Sequence, residues 1–293
     1  MLWPKSLSKR IKTKVRLSDY TSFKIGGRAR YFFEPESFED LRQVLAFARQ
    51  SGLRVFILGA GSNLLVSDKG LDALVIRLNN ANFKRCICQG SCIIAGSGLK
   101  LNTLILFSSK KNLSGLEFLT GIPGTLGGSL IGNAGAWGKS LGELIDCVGV
   151  LGGNGKFKLL RSKQLKFAYR KSNLNKYIII WARIKLRPGT KKSIDSEINR
   201  YISRRKRSQA NHLPNAGCVF RNPTGDSAGR LIDACGLKGR SIGKAIISGR
   251  HANFILNNGK AKSKDVLALM DLTRKEVKRK FKIDLKPEIK IWK

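Results

Sequence analysis

Eight glycines fall within twenty-four residues at 115–138 (GLEFLTGIPGTLGGSLIGNAGAWG), and a shorter glycine loop lies upstream at 57–66 (ILGAGSNLLV). Glycine visits positive φ freely and leaves no Cβ between backbone and ligand. Successive backbone N–H groups held open in this way form a concavity that binds anions. Two such loops in one chain point to a backbone-lined cradle for a phosphate-bearing cofactor. By residue type alone, Arg170 reads as a surface cation, Cys218 as a small buried thiol and Glu288 as a solvated carboxylate near the end of the chain.

The elements that must position these groups follow from periodicity and caps. Residues 28–33 read as a strand. Ser37 can cap a helix carrying Phe38, Leu41, Val44, Leu45 and Ala48 on one face, ended by Gly52. A buried strand at 55–58 leads into the first glycine loop. A dinucleotide-binding βαβ unit would need a helix directly after those glycines. Residues 64–66 and 74–78 are strand-like instead, so the loop must hold an anion with its own N–H groups rather than with a helix dipole.

Residues 86–96 alternate as strand and 101–111 keep a helical period. Strands are predicted at 148–151, 156–160 and 178–186, with a boundary at Pro188-Gly189. A basic helix at 191–209 leads to a loop at 211–215. Asp226 can cap a helix running to Gly236, and a second helix is predicted at 264–282. A final strand is predicted at 285–292, in which Leu285, Pro287, Ile289 and Ile291 share one face, with Glu288, Lys290 and Trp292 on the other. The pattern is α+β.

Composition narrows the class. Hydrophobic residues make up 42% of the 293, and prolines number only seven, as in a globular protein. The longest apolar run, YIIIWA at 177–182, falls far short of the ~20 residues of a membrane span. The basic N-terminus has no apolar signal-peptide stretch. Six cysteines in a chain of this length are no disulfide framework and fit a cytoplasmic protein. Cys86, Cys88 and Cys92 cluster with the same parity, which would set all three on one face of a strand or hairpin. With no fourth ligand nearby and two histidines in the chain, no metal is expected.

The net charge of +37 is concentrated late: 34 basic residues against nine acidic ones in 161–293. Nucleic acid is the first partner such a charge suggests. The sequence has no RNA-recognition motif, zinc finger or basic stripe studded with aromatics, and the excess reads as solvated surface.

Seven segments occur in order: YTSFKIGG at 20–27, LGAGSNLL at 58–65, GIPGTLGG at 121–128 with NAG at 133–135, YRKS at 169–172, AGCVFRNP at 216–223, HANF at 251–254 and PE at 287–288. Together they resemble the UDP-N-acetylenolpyruvoylglucosamine reductases, flavoenzymes that make a peptidoglycan precursor. The resemblance covers roughly residues 19–292 and matches the subclass without an extra tyrosine loop over the substrate. It implies a two-part FAD-binding domain of the PCMH type followed by a smaller α+β substrate-binding domain. The corresponding divisions are a basic extension at 1–18, flavin-binding parts at 19–80 and 81–189, and a substrate domain at 190–293. NADPH would reduce FAD, and the hydride would pass to C3 of the enolpyruvyl group, giving UDP-N-acetylmuramate. The implied molecule is a cytoplasmic monomer whose partner is a UDP-sugar.

The resemblance also assigns residues. Gly59, Ala60, Gly61, Ser62 and Asn63 would give N–H donors to the FAD diphosphate. Gly121, Ile122, Pro123, Gly124, Gly127, Gly128, Asn133 and Gly135 would wrap the other side of the flavin. Arg170 would meet charge developing on the substrate carboxylate. Cys218 would protonate C2 where the family usually has serine, and Glu288 would polarise the enol system or relay the proton. Asn222 would bond the substrate diphosphate region and Tyr169 would pack on the substrate. His251 reads equally as a substrate contact or a structural histidine. Two other readings stand beside this one: a different FAD oxidoreductase of the same fold, or a basic nucleic-acid binder on a degenerate flavin fold.

Overall fold

The computed structural model describes residues 3–153, 155–209 and 213–293. The expected loop at 211–215 therefore lies partly outside the described residues. The chain forms two compact units that exchange segments. The first holds the described residues up to Lys12, then Tyr31–Ala60 and Ala73–Arg204. The second holds Thr13–Arg30, Gly61–Asp72 and the described part of Arg205–Lys293.

Most of the first unit is built on a five-stranded antiparallel sheet. Its order is Phe157–Arg161, Ile145–Leu151, Ile178–Lys185, Cys92–Gly96, Cys86–Gln89. Ile93, Ala95, Val148, Val150, Ala182 and Ile184 bury one face with Leu101, Leu104 and Ile105 of the helix Leu101–Lys110. A smaller core joins the helix Phe38–Gln50 to Leu74 and Ile76, on a strand that pairs in parallel with Val55–Leu58. Ser37 caps that helix in a capping box with Asp40.

The second unit carries a four-stranded antiparallel sheet in the order Asn215–Cys218, Phe254–Asn257, Ala245–Ile247, Ser241–Ile242. The helices Ala228–Ala234 and Ser263–Phe281 share its core. Lys290–Trp292 pairs in parallel with Leu64–Val66, so the end of the chain is stitched to the strand that follows the first glycine loop.

Four expectations need correction. Ser227, not Asp226, caps the helix Ala228–Ala234 by accepting the Arg230 N–H. Asp226 instead pairs with Arg230, whose hydrogen bonds pull its carboxyl down to about 2. The expected tail strand is extended, but only Lys290–Trp292 is ladder strand. The three clustered cysteines do not share a face. The hairpin pairs Gln89 with Cys92 and Cys88 with Ile93, so parity reverses across its turn, leaving Cys86 and Cys88 on one face and Cys92 on the other. Cys86, packed against the core, has its thiol pushed up to about 11 by burial and by Cys88. Finally, the glycine segment contains a short helix, Leu126–Ile131, that its glycines had hidden.

Asn257 ties the early segment of the second unit to its core. It is buried; its Nδ2 donates to Phe23 O at 3.0 Å and its Oδ1 accepts the Ala261 N–H at 2.9 Å. Asn257→Ala leaves two buried backbone groups unsatisfied and should destabilise this unit by about 2–4 kcal/mol, read as a lower urea midpoint; an unchanged midpoint would contradict this tie.

Candidate functional site

The first glycine loop links the strands Val55–Leu58 and Leu64–Val66, and no helix intervenes. Among the described residues, the N–H groups of Ala60, Gly61 and Asn63 donate no turn, loop or cap hydrogen bond. They are the donors an anion would take. Gly61 adopts φ +64°, and a Cβ there would sit 2.1 Å from Tyr20 O. Gly59 lies so close to Thr125 that a Cβ would stand 2.8 Å from its Oγ1. The two glycine loops are therefore in contact within the first unit, through a threonine that sequence reading passed over. Thr125 N-caps the short helix by accepting the Gly128 N–H. Leu126 N–H and Gly127 N–H donate to Leu99 O and Ser97 O, both at 2.8 Å, which weaves the second loop along residues 97–101.

Within the second unit, the other half of the loop is clasped to the tail. Asn63 Nδ2 donates to Glu288 O at 3.3 Å, and Lys290 N–H donates to Asn63 O at 3.0 Å. Glu288 N–H donates to Val219 O at 2.7 Å, and Phe220 bridges Pro287. The residue after Cys218 is thus hydrogen-bonded to Glu288, and these two predicted site residues come together. Ser22 completes the frame: its N–H donates to Gly61 O at 3.1 Å and its Oγ to Asn215 O at 2.6 Å. It joins the glycine loop to the strand that carries Cys218. Its place in the motif at 20–27 was visible; this task was not.

Cys218 ends the strand Asn215–Cys218 after an irregular step in which Gly217 has φ +76°. Buried Asn253 fixes Phe220, two residues on, twice, accepting Phe220 N–H at 2.9 Å and donating to Phe220 O at 2.8 Å. Asn222 spends its Oδ1 on the Ala228 N–H at 3.0 Å, which holds the Arg-Asn-Pro turn. His251 packs at a tilt against Phe254, with ring centroids 4.9 Å apart, and its Nδ1 accepts the Asn253 N–H at 3.3 Å. Burial holds its pKa below the usual histidine value.

Arg170 belongs to the first unit, at the tip of a hairpin between Phe167–Ala168 and Lys171–Ser172. Its φ of +54° is left-handed for a non-glycine residue, a strain of ~1–3 kcal/mol of the kind found at functional sites. The later part of the glycine segment holds it there. Asn133 donates Nδ2 to Ala168 O and accepts the Gly142 N–H, while Gly135 O accepts from Arg170 Nη1 at 2.9 Å. Asn133 and Gly135 thus position the arginine hairpin. Tyr169, 55% exposed, lies beside the guanidinium. Two residues beyond Gly135, Trp137 stacks with Tyr201, and Arg204 lies over its ring. This aromatic–arginine stack joins positions 64 residues apart, too far for a sequence pattern to show.

Comparison with known proteins fits this arrangement. A family model described as an FAD binding domain matches residues 29–158. One described as the C-terminal domain of UDP-N-acetylenolpyruvoylglucosamine reductase matches residues 208–292. A protein of Symbiobacterium thermophilum named UDP-N-acetylenolpyruvoylglucosamine reductase 2 is 41% identical over 285 residues, covering 97% of this chain and 92% of that protein. The Moorella thermoacetica reductase is 40% identical over 98% of this chain and 94% of its own. The crystal structure of the Thermus caldophilus reductase superposes with a TM-score of 0.85 at 37% identity, covering 97% of this chain and 99% of that one. No described helix is long and apolar enough to cross a membrane.

The state of His251 gives a pH signature. Held neutral in the folded protein, it takes up a proton on unfolding once the pH drops below about 6.5, so stability must fall as pH falls through that value. His251→Asn keeps an acceptor near Nδ1 and removes the titration. The drop in Tm between pH 7.5 and 5.5 should be smaller in this variant than in the wild type; equal drops would contradict the assignment.

Proposed function

The chain belongs to the UDP-N-acetylenolpyruvoylglucosamine reductase family, and from that membership we infer that it is an NADPH-dependent flavoprotein that reduces UDP-N-acetylglucosamine enolpyruvate to UDP-N-acetylmuramate, a step of peptidoglycan precursor synthesis. The observation that carries the reading is the frame joining Gly61, Asn63, Val219 and Glu288 through backbone hydrogen bonds. It supports one site holding both an anion-binding loop and an acid pair. The residues fit FAD: the N–H groups of Ala60, Gly61 and Asn63, which donate no turn, loop or cap hydrogen bond among the described residues, suit its diphosphate, and the side-chain-free positions at 121–128 would let the backbone approach it closely. FAD, when bound, supplies the hydride chemistry, accepting from NADPH and giving to the enolpyruvyl C3. Gly59, Ala60, Gly61, Ser62 and Asn63 would give N–H donors to its diphosphate, and Gly121, Ile122, Pro123, Gly124, Gly127 and Gly128 would line the flavin.

The side chains then have separate tasks. Hydride addition at C3 throws negative charge onto C2 and, by conjugation, onto the substrate carboxylate. Arg170 meets that charge with a guanidinium that stays ionised and fits a carboxylate with two parallel donors. Its strained hairpin fixes the guanidinium in place before substrate arrives. Cys218 delivers the proton to C2; at neutral pH a thiol is mostly protonated and is a stronger acid than the serine hydroxyl usual in the family. Glu288, registered beside the Cys218 strand by Val219, polarises the enol system or relays that proton. Asn222 holds the turn that faces the substrate diphosphate, and Tyr169 with the Trp137 stack offers aromatic surface to the nucleotide. A nucleotide-sugar substrate, a pyridine-nucleotide reductant and cysteines free of disulfides among the described residues suit a cytoplasmic enzyme, which we take to act as a monomer.

The test is spectroscopic. The purified protein should carry a flavin spectrum that NADPH bleaches and the enolpyruvyl sugar nucleotide restores; a colourless protein, or bleaching without restoration, would overturn the reading. Arg170→Met should slow restoration by about two orders of magnitude or more while bleaching persists. Equal losses in both would remove Arg170 from its role. Cys218→Ala should give the same split and Cys218→Ser should keep most turnover; a fully active alanine variant would exclude the thiol.

A further inference from the structure

Two hydroxyls in the first unit have no place in the roles above. Ser97 is 4% exposed and Thr120 3% exposed, and neither Ser97 Oγ nor Thr120 Oγ1 has a hydrogen-bond partner among the described residues. Buried hydroxyls are rarely left so, because desolvation without a partner is unfavourable. Both flank the second glycine loop. Thr120 directly precedes Gly121, and its N–H is fixed by Glu117 O at 3.0 Å. Ser97 lies under Gly127, where an added Cβ would stand 3.0 Å from Ser97 Cβ. Its backbone is pinned on both sides, with its N–H on Ile180 O and its carbonyl accepting Gly127 N–H, each at 2.8 Å. In each residue the backbone is anchored and the hydroxyl is the donor left over.

We propose that the Ser97 and Thr120 hydroxyls are further ligands of the flavin, each donating a hydrogen bond to an acceptor atom of bound FAD along the glycine segment 121–128. The proposal rests on the flavoprotein reading. FAD brings phosphate oxygens, ring carbonyls and ring nitrogens in excess of its donors, so it offers acceptors to these two hydroxyls, which have no partner among the described residues. Two anchored donors at the ends of one loop would also fix how the cofactor lies against that loop, a task that flexible glycines cannot perform alone. Neither residue would be needed to fold the chain. In the flavin-free protein each hydroxyl is a buried polar group with no bond, and its loss should cost nothing.

That asymmetry is the test. Ser97→Ala and Thr120→Val keep the packing and delete the hydroxyl. Flavin titration should show the Kd rising about three- to tenfold in each variant, the worth of one ordinary hydrogen bond. The Tm of the flavin-loaded protein should fall, while the Tm of the flavin-free protein should hold or rise. Kd values within about twofold of wild type in both variants would overturn the proposal. So would equal losses of Tm with and without flavin, because that is the mark of a structural role. A wild-type chain that binds no flavin at all would overturn the flavoprotein reading itself, and flavin binding by wild type with unmoved variants would overturn only the hydroxyl assignment.

Discussion

The clasp of Asn63 around Glu288 is the contact on which the second unit's share of the site depends. One asparagine takes Lys290 N–H on its own carbonyl and gives its side-chain amide to Glu288 O. Glu288 N–H in turn goes to Val219 O. These bonds are made by backbone or to backbone, so they set the register of three segments far apart in sequence. A slip of one residue along the tail would turn the Glu288 side chain to the opposite face. The glycine loop, the thiol and the carboxylate are thereby held in a single hydrogen-bonded frame, before any ligand adds its own contacts.

A different constraint governs the first unit. Arg170 could point elsewhere at lower conformational cost, since its left-handed backbone is strained. The glycine segment overrides that preference through Asn133 and the Gly135 carbonyl. Glycine-rich chain therefore does two jobs within one stretch. Its earlier part, at 121–128, stays close to the neighbouring backbone at 97–101, and its later part aims a cation. Thr125 links the stretch to Gly59 of the upstream loop, so a bulkier residue at Gly59 would press directly on the cap of the short helix.

Much of this was legible in the sequence because the signals are local. Ser37 and the helix it caps, the strand at 28–33, and the basic helix Lys191–Gln209 follow from side-chain period and capping chemistry within a few residues. The glycine loops and the Arg170, Cys218 and Glu288 motifs were visible for the same reason. What the sequence hid was long-range or conformational. Nothing in the spacing of Cys86, Cys88 and Cys92 reveals that the hairpin turn falls between Gln89 and Cys92 and reverses their parity. The helix Leu126–Ile131 forms despite two glycines, because Thr125 caps it and residues 97–99 accept its first N–H groups. Ser22, Thr125, Asn253 and the Trp137–Tyr201 stack act across dozens of residues or more, where no periodicity reaches. The membership of Thr13–Arg30 and Gly61–Asp72 in the second unit is of the same kind: it follows from tertiary pairing.

If the Gly59–Asn63 backbone holds the diphosphate as proposed, position 61 must carry no side chain. The most direct test is equilibrium FAD binding to Gly61→Ala, with far-UV circular dichroism recorded alongside. A single methyl would meet Tyr20 O at 2.1 Å and force the loop from its left-handed turn. The predicted result is a folded protein whose affinity for FAD is lower by at least about a hundredfold. Wild-type affinity in that folded variant would contradict the claim that the Gly59–Asn63 backbone holds the cofactor.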